Sequence, residues 1–223
     1  MISENQTIEE RYGLEDIDTI AVGLLVNAPL DQIAEIVAQF GAEWEQDIHE
    51  QNIQNPGLLV FQFRGHSWTG ILDVSMTDKY TYVTTDTFDD SHNFVTCSWD
   101  WELQAQSISQ QLHTRTIYYW VDDSGLTIGY VYWENGELME RLEFDEAIWQ
   151  DNHDEALLDE PERQVEPHLF ESKFRRLTAG EIENAYSFVE DFLHEQQAYA
   201  ATRLSRFKCQ RDDFIRIDYI AFV

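Results

Sequence analysis

Residues 114–144 constrain this chain more than any other stretch. Thr114 to Val121, Leu126 to Trp133 and Leu138 to Phe144 are three runs of seven or eight β-prone residues. Asp122-Asp123-Ser124-Gly125 separates the first two, and Asn135-Gly136 separates the last two. Asn-Gly between apolar runs is the strongest short hairpin signal, because a type I′ turn needs positive φ at both central residues. The stretch therefore predicts an antiparallel meander, and a chain containing one builds its fold around a sheet.

Rings lie on both faces of this meander. Tyr118 and Trp120 share one face with each other, and Ile117, Tyr119 and Val121 share the opposite one. Tyr130 and Tyr132 alternate with Val131 and Trp133. A sheet wetted on one side would alternate apolar with polar residues, so both sides need cover from helices, a ligand or another subunit.

The remaining elements follow from periodicity. Thr19 to Val26 reads as a strand. A helix follows, with Pro29 at its first position and Leu30, Ile33, Val37 and Phe40 on one stripe; Gly41 is expected to end it as a left-handed cap. Trp44–Ile48, Leu58–Phe63 and Trp68–Val74 read as strands, the last two joined by a tight turn at Arg64-Gly65-His66-Ser67, and Tyr80–Phe88 as a further one. Trp101, Ala105, Ile108 and Leu112 recur at helical spacing within 99–112. Thr178-Ala-Gly-Glu181 has the form of a capping box and predicts the start of a long helix carrying Ile182, Tyr186, Val189 and Leu193, with Asn184 facing water. Phe214–Phe222 reads as a closing strand.

The class expected is α+β: a mostly antiparallel sheet with two or three helices packed on it. The αβββ order occurs twice, which hints weakly at an internal duplication. Residues 1–16 read as a polar tail and 17–223 as a single domain. Within it, 145–167 is an acidic linker or peripheral helix, and 168–223 a helix–strand element that docks back.

Charge bounds the function. Asp and Glu number 43 against 14 Lys plus Arg, a net charge of −29. Such a field repels phosphate backbones and anionic membrane surfaces, so neither nucleic acid nor membrane is an expected partner. It attracts cationic ones. The acids are uneven: Glu134 to Glu162 holds twelve of them and one base, Arg141, whereas Leu169 to Val223 holds nine acids and eight bases. No apolar run reaches the length of a membrane-spanning helix, and the N-terminus lacks the pattern of a secretory signal, so the cytoplasm is the expected compartment. Cys97 and Cys209 are accordingly expected as free thiols.

Searches for chemistry return little. There is no G-x-G-x-x-G, no G-x-x-x-x-G-K-[ST], no G-x-S-x-G, no H-E-x-x-H and no C-x-x-C. Asp151-Asn152-His153-Asp154-Glu155 gathers hard ligands but lacks the glycine and terminal glutamate of a calcium loop. No catalytic residue, metal site or cofactor is therefore assigned. Two groups of binding candidates stand out. Arg64, His66 and Trp68 surround one tight turn, as an exposed interface anchor or, alternatively, with Trp68 simply opening a strand toward the core. Glu146, Asp151, Asp154 and Glu155 form an acidic patch with Trp149 as a central apolar anchor. Function is expected to be that of a non-enzymatic acidic interaction protein, inhibitor-like or immunity-like, engaging a basic protein. The alternative is a small-molecule binder or enzyme with an aromatic pocket beneath the meander.

Overall fold

The structure is a computed structural model, and it describes residues 21–48, 53, 55–74, 99–122, 127–145, 169–200 and 211–222. Among these residues nine strands form one antiparallel sheet, with three helices packed on it. In chain order these are β1 (Ala21–Val26), α1 (Leu30–Val37), β2 (Glu43–Glu45), β3 (Gly57–Phe63), β4 (Thr69–Asp73), α2 (Trp101–Leu112), β5 (Arg115–Asp122), β6 (Thr127–Glu134), β7 (Glu137–Asp145), β8 (Leu169–Ser172), α3 (Ala185–Gln196) and β9 (Phe214–Ala221). Across the sheet the order is β2-β9-β3-β4-β1-β5-β6-β7-β8. The α+β class is as the sequence predicts.

The meander is present, with β5 paired to β6 and β6 to β7. Asn135 and Gly136 have φ of 54° and 80°, the left-handed pair a type I′ turn needs. The expected turn at 122–125 falls largely outside the described residues, as do the strand expected at 80–88, the N-terminal tail, the 145–167 stretch beyond Asp145, and both cysteines.

The two faces of the sheet are covered differently. On one, α1 and α2 bury Leu30, Ile33, Val37, Ala105 and Ile108 against Leu24, Val26, Val60, Ile71 and Val131. On the other, α3 buries Val189, Phe192 and Leu193 against Ile117, Tyr119, Ile128, Tyr130 and Leu142. Phe192 lies flat on Tyr130, ring centroids 4.0 Å apart. A fully buried side chain of this size contributes about 1.5–3 kcal/mol, so each helix is held chiefly by its stripe. On the α3 side of β3, β4 and β9, a third cluster gathers Phe61, Phe63, Leu72, Phe214 and Tyr219 under Ile48 and Ile53.

Several local expectations are corrected. Gly41 is not a left-handed cap: α1 stops at Val37 with right-handed Ala38 as its cap. Gly41 is instead pressed against β9, where a Cβ would stand 2.3 Å from Ile220. Phe40, beyond the helix end, is 49% exposed and meets Trp99 edge-on. The strand expected over 44–48 is only Glu43–Glu45, because Asp47 turns the chain with φ 55°. Its N–H then donates to Asp218. The Thr178–Glu181 capping box exists, but it closes a single 3-10 turn. Ile182 is extended, and α3 starts only at Ala185, where the Asn184 side chain accepts from Ser187 N–H. Asn184 is thus the helix cap, the role its short acceptor side chain favours. β8 was not expected; four residues alternating exposed and half-buried carry too short a pattern to read.

β9 reaches back to pair with both β2 and β3. It carries a fully buried carboxylate, Asp218, that explains the local geometry. Asp218 accepts from Trp44 Nε1, Asp47 N–H and the Arg216 guanidinium. Arg216 also reaches Asp31 on α1. Three elements and a turn are therefore clamped by one ion whose hydrogen-bonding capacity is met, as burial of charge requires.

Candidate functional site

The Arg64–Trp68 turn lies where the end of β3, the end of β1 and the C-terminus of α3 converge. Gly65 makes the reversal with φ 86°. Arg64 is exposed but tied back: its guanidinium donates to the backbone carbonyls of Asp212 and Phe214, joining the turn to the start of β9. Trp68 is 3% exposed, so the core reading holds for it and the exposed-anchor reading does not. Its Nε1 donates to the Gln196 carbonyl at the end of α3, and the Arg115 guanidinium stands 5.2 Å over its ring. Arg115 also donates to the Gln196 side chain. A cation at a helix C-terminus complements the dipole there. His66 is half-buried with its ring edge-on to Tyr199. The three residues share the turn, and the structure spends Arg64 and Trp68 on joining elements.

Glu146, Trp149, Asp151, Asp154 and Glu155 lie outside the described residues. Among the described residues, no three His, Cys, Asp or Glu side chains are arranged to hold a metal ion, and no helix is long and apolar enough to cross a membrane.

A second charged group is buried on the α3 face. Glu140 has a fully buried side chain, and its Oε1 accepts from the Tyr130 hydroxyl at 2.5 Å. Arg175 Nε stands 3.2 Å from the other carboxylate oxygen, an ion pair rather than a well-aligned hydrogen bond. The same guanidinium pairs with Glu195 and stands over Phe188. Burial and the neighbouring carboxylate push the Tyr130 hydroxyl well above its ordinary pKa. The group clamps the segment after β8 onto β7 and α3.

The aromatics on the other face of the meander are arranged differently. Register places Leu24, Tyr118, Val131 and Arg141 in one row across the sheet, and Val22, Trp120, Gly129, Glu143 and Leu169 in the next. The first row runs beneath the N-terminal end of α2, where Glu102 pairs with Arg141 at 2.9 Å. In the second row the Trp120 indole lies across Gly129, whose missing side chain makes the room: a Cβ there would stand 2.1 Å from the indole Cζ2. Tyr118 leans on Trp120, centroids 5.2 Å apart and planes tilted by 35°. Both rings are half-buried, and Leu169 at the outer end of the row is 39% exposed.

Acids rim this face. Burial, then the charges of Glu102 and Asp100, hold the Tyr118 hydroxyl above its ordinary pKa; Glu143 adds to them and Arg141 opposes. Glu171 projects from β8 opposite Arg141 in the same row. The pairing of Tyr118 with Trp120 was legible from alternation. The glycine bed beneath the indole, and Leu169 beside Glu143, depend on strand register and were not.

No protein-family model, curated protein or solved structure matches this chain.

Proposed function

We propose that this is a non-enzymatic interaction protein whose acidic surface engages a basic protein partner. One observation carries the reading: among the described side chains most bases are held by neighbours, Arg176 being exposed and unpaired, while several acids face solvent with no base beside them. Arg64 is held by backbone carbonyls, Arg115 by Gln196 and the Trp68 ring, and Arg141 by Glu102 and Glu143. Lys173 is paired with Glu137, Arg175 with Glu140 and Glu195, and Arg216 with Asp31 and Asp218. Meanwhile Glu35, Glu43, Glu171, Glu183 and Asp191 are exposed, with no basic partner among the described residues. An unbalanced field of this kind steers cations and speeds their encounter. The alternative of an aromatic pocket beneath the meander gains no support on the α3 side, where Phe192 stacks on Tyr130 and packs against Tyr132.

The test is capture from a cell lysate with the full chain as bait. It is done at about 0.01 M and about 0.15 M salt, where Debye lengths are about 30 and 8 Å. A discrete set of basic proteins, retained at low salt and released at the higher, supports the reading. A retained set with no basic bias, or one indifferent to salt, defeats it. Neutralising Glu146, Asp151, Asp154 and Glu155 together then reports whether the acidic stretch contributes.

A further inference from the structure

We infer that the sheet face built on Trp120 and Tyr118 is the docking surface for an arginine-bearing segment of a partner protein, with the guanidinium seated over the Trp120 indole and beside Glu143. This rests on the reading of the protein as an acidic interaction protein and names the surface and the chemistry it takes.

Three independent features of the face agree on a cation. The first is the platform. Gly129 lets the indole lie along the sheet, and Tyr118 beside it widens the aromatic surface. Trp is the best of the rings for holding a cation over its face. The second is the charge around it. Asp100, Glu102 and Glu143 act on the Tyr118 hydroxyl, Glu143 lies in the Trp120 row, and Glu171 ends the Tyr118 row, with Arg141 as the opposing base. Arg141 is already shared between Glu102 and Glu143. The third is that the polar handles of both rings are unspent: neither the Tyr118 hydroxyl nor the Trp120 indole N–H bonds a described residue. Trp44 and Trp68 engage their indole N–H groups within the fold, and those of Trp99 and Trp133 are unbonded but buried, whereas the Trp120 group is on a half-buried ring. An amphipathic ring with an apolar body and a free polar tip is the usual composition of an interface anchor. Leu169 extends the strip with an exposed apolar contact for the segment's backbone or stem. A planar guanidinium can stack on the indole and still offer paired N–H donors to Glu143, which an ammonium does less well.

The test uses the full chain and a blocked tetra-arginine peptide, titrated at about 0.01 M salt by calorimetry and by the indole N–H resonances. The Trp120 resonance, assigned by its loss in Trp120→Phe, is expected to move on titration while that of Trp68 stays. Trp120→Leu is expected to weaken binding about 3- to 30-fold, and Trp120→Phe to restore most of it. Glu143→Gln should weaken binding more than the charge-matched Glu183→Gln. Retention of the wild-type melting midpoint in Glu143→Gln separates lost contact from lost fold. Equal affinity for all variants, or a Trp120 resonance that does not move, overturns the surface; so does an absence of peptide binding. Concentration-dependent self-association abolished by Trp120→Leu would assign the face to a second copy, and tetramethylammonium binding as tightly as the peptide would assign it to a free cation; either overturns the proposal. Capture of basic proteins by the Trp120→Leu bait at wild-type level would leave the functional reading standing without this surface.

Discussion

Replacing Arg175 with methionine should destabilise the protein severely, and the reason is Glu140. The glutamate side chain is fully buried and has two polar neighbours, the Tyr130 hydroxyl at 2.5 Å and the Arg175 guanidinium at 3.2 Å. Methionine keeps much of the apolar stem packing but removes the charge, leaving a buried carboxylate held by one phenol. Breaking a buried ion pair from one side costs about 3–5 kcal/mol. The lost contact with Glu195 adds less than about 1 kcal/mol, because that carboxylate is 53% exposed. Contact with the Phe188 ring adds about 0.5–1 kcal/mol. A total near 4–6 kcal/mol, at roughly 2–4 °C per kcal/mol for a chain of this size, lowers Tm by about 8–24 °C. Calorimetric melting measures it. The double variant Glu140→Gln with Arg175→Met removes the buried charge as well, so it should be about 2 kcal/mol more stable than Arg175→Met alone. A single-variant loss below about 1 kcal/mol, or no recovery in the double, would refute the reasoning that Arg175 compensates Glu140.

Gly136→Val should cost about 1–3 kcal/mol by denaturant titration, because Gly136 has φ 80° and its added Cβ would meet Gln110 at 2.7 Å; an unchanged midpoint would disprove the turn geometry. Val189→Asp places an unpaired charge at a fully buried position of α3, and the variant should fail to melt cooperatively; a soluble protein with the wild-type midpoint would contradict the packing of that helix. Alkaline stability should fall between about pH 10 and 12. Burial, then the Glu45 and Glu43 charges, push Tyr219 up to about 12, and Tyr130 and Tyr119 are raised as well. An unfolded tyrosine titrates near 10, so the folded chain holds these protons longer. The stability they contribute is fully present below about pH 10 and is lost as pH rises through the folded values. Ionisation of all ten tyrosines near pH 10 in the still-folded chain would contradict this order.

What the sequence shows well is what a short window specifies. Asn135-Gly136 reads correctly because both left-handed residues lie within one turn. The stripe of α2 reads correctly because Ala105 and Ile108 are spaced by the helix itself. Expectations fail where a distant element decides. Gly41 resembles a cap in sequence, yet its reason is the approach of Ile220 from β9. The capping box at Thr178 is real, but it ends after one 3-10 turn and the chain restarts the helix at Asn184. Local signals announce that a helix can begin; packing of Ala185, Val189 and Phe192 on the sheet decides where it does.

The same limit separates the two candidate surfaces. Arg64, His66 and Trp68 look like an exposed anchor because three conspicuous residues share one turn, but conspicuous residues at a turn are as easily consumed by the elements that meet there. Trp68 faces the end of α3 and Arg64 the start of β9, two segments more than a hundred residues away. Trp120 shows the converse. In sequence it is one ring in an aromatic strand, indistinguishable from Tyr119, which is fully buried beneath α3. Only cross-strand register reveals that its partner is Gly129, and that Glu143 and Leu169 continue the row. Gly129 would otherwise weaken a central strand, since it packs nothing of its own. Substituting alanine there should therefore displace the indole, and because the Cβ would also stand 2.5 Å from the Leu142 carbonyl the local β6–β7 pairing must give as well. If the ring's seat is what receives the guanidinium, Gly129→Ala should weaken the tetra-arginine peptide while leaving Trp68 and its neighbours unperturbed in the indole N–H spectrum. If affinity is unchanged while the Trp120 resonance moves, the position of the ring does not matter to the cation, and the acids alone account for the binding.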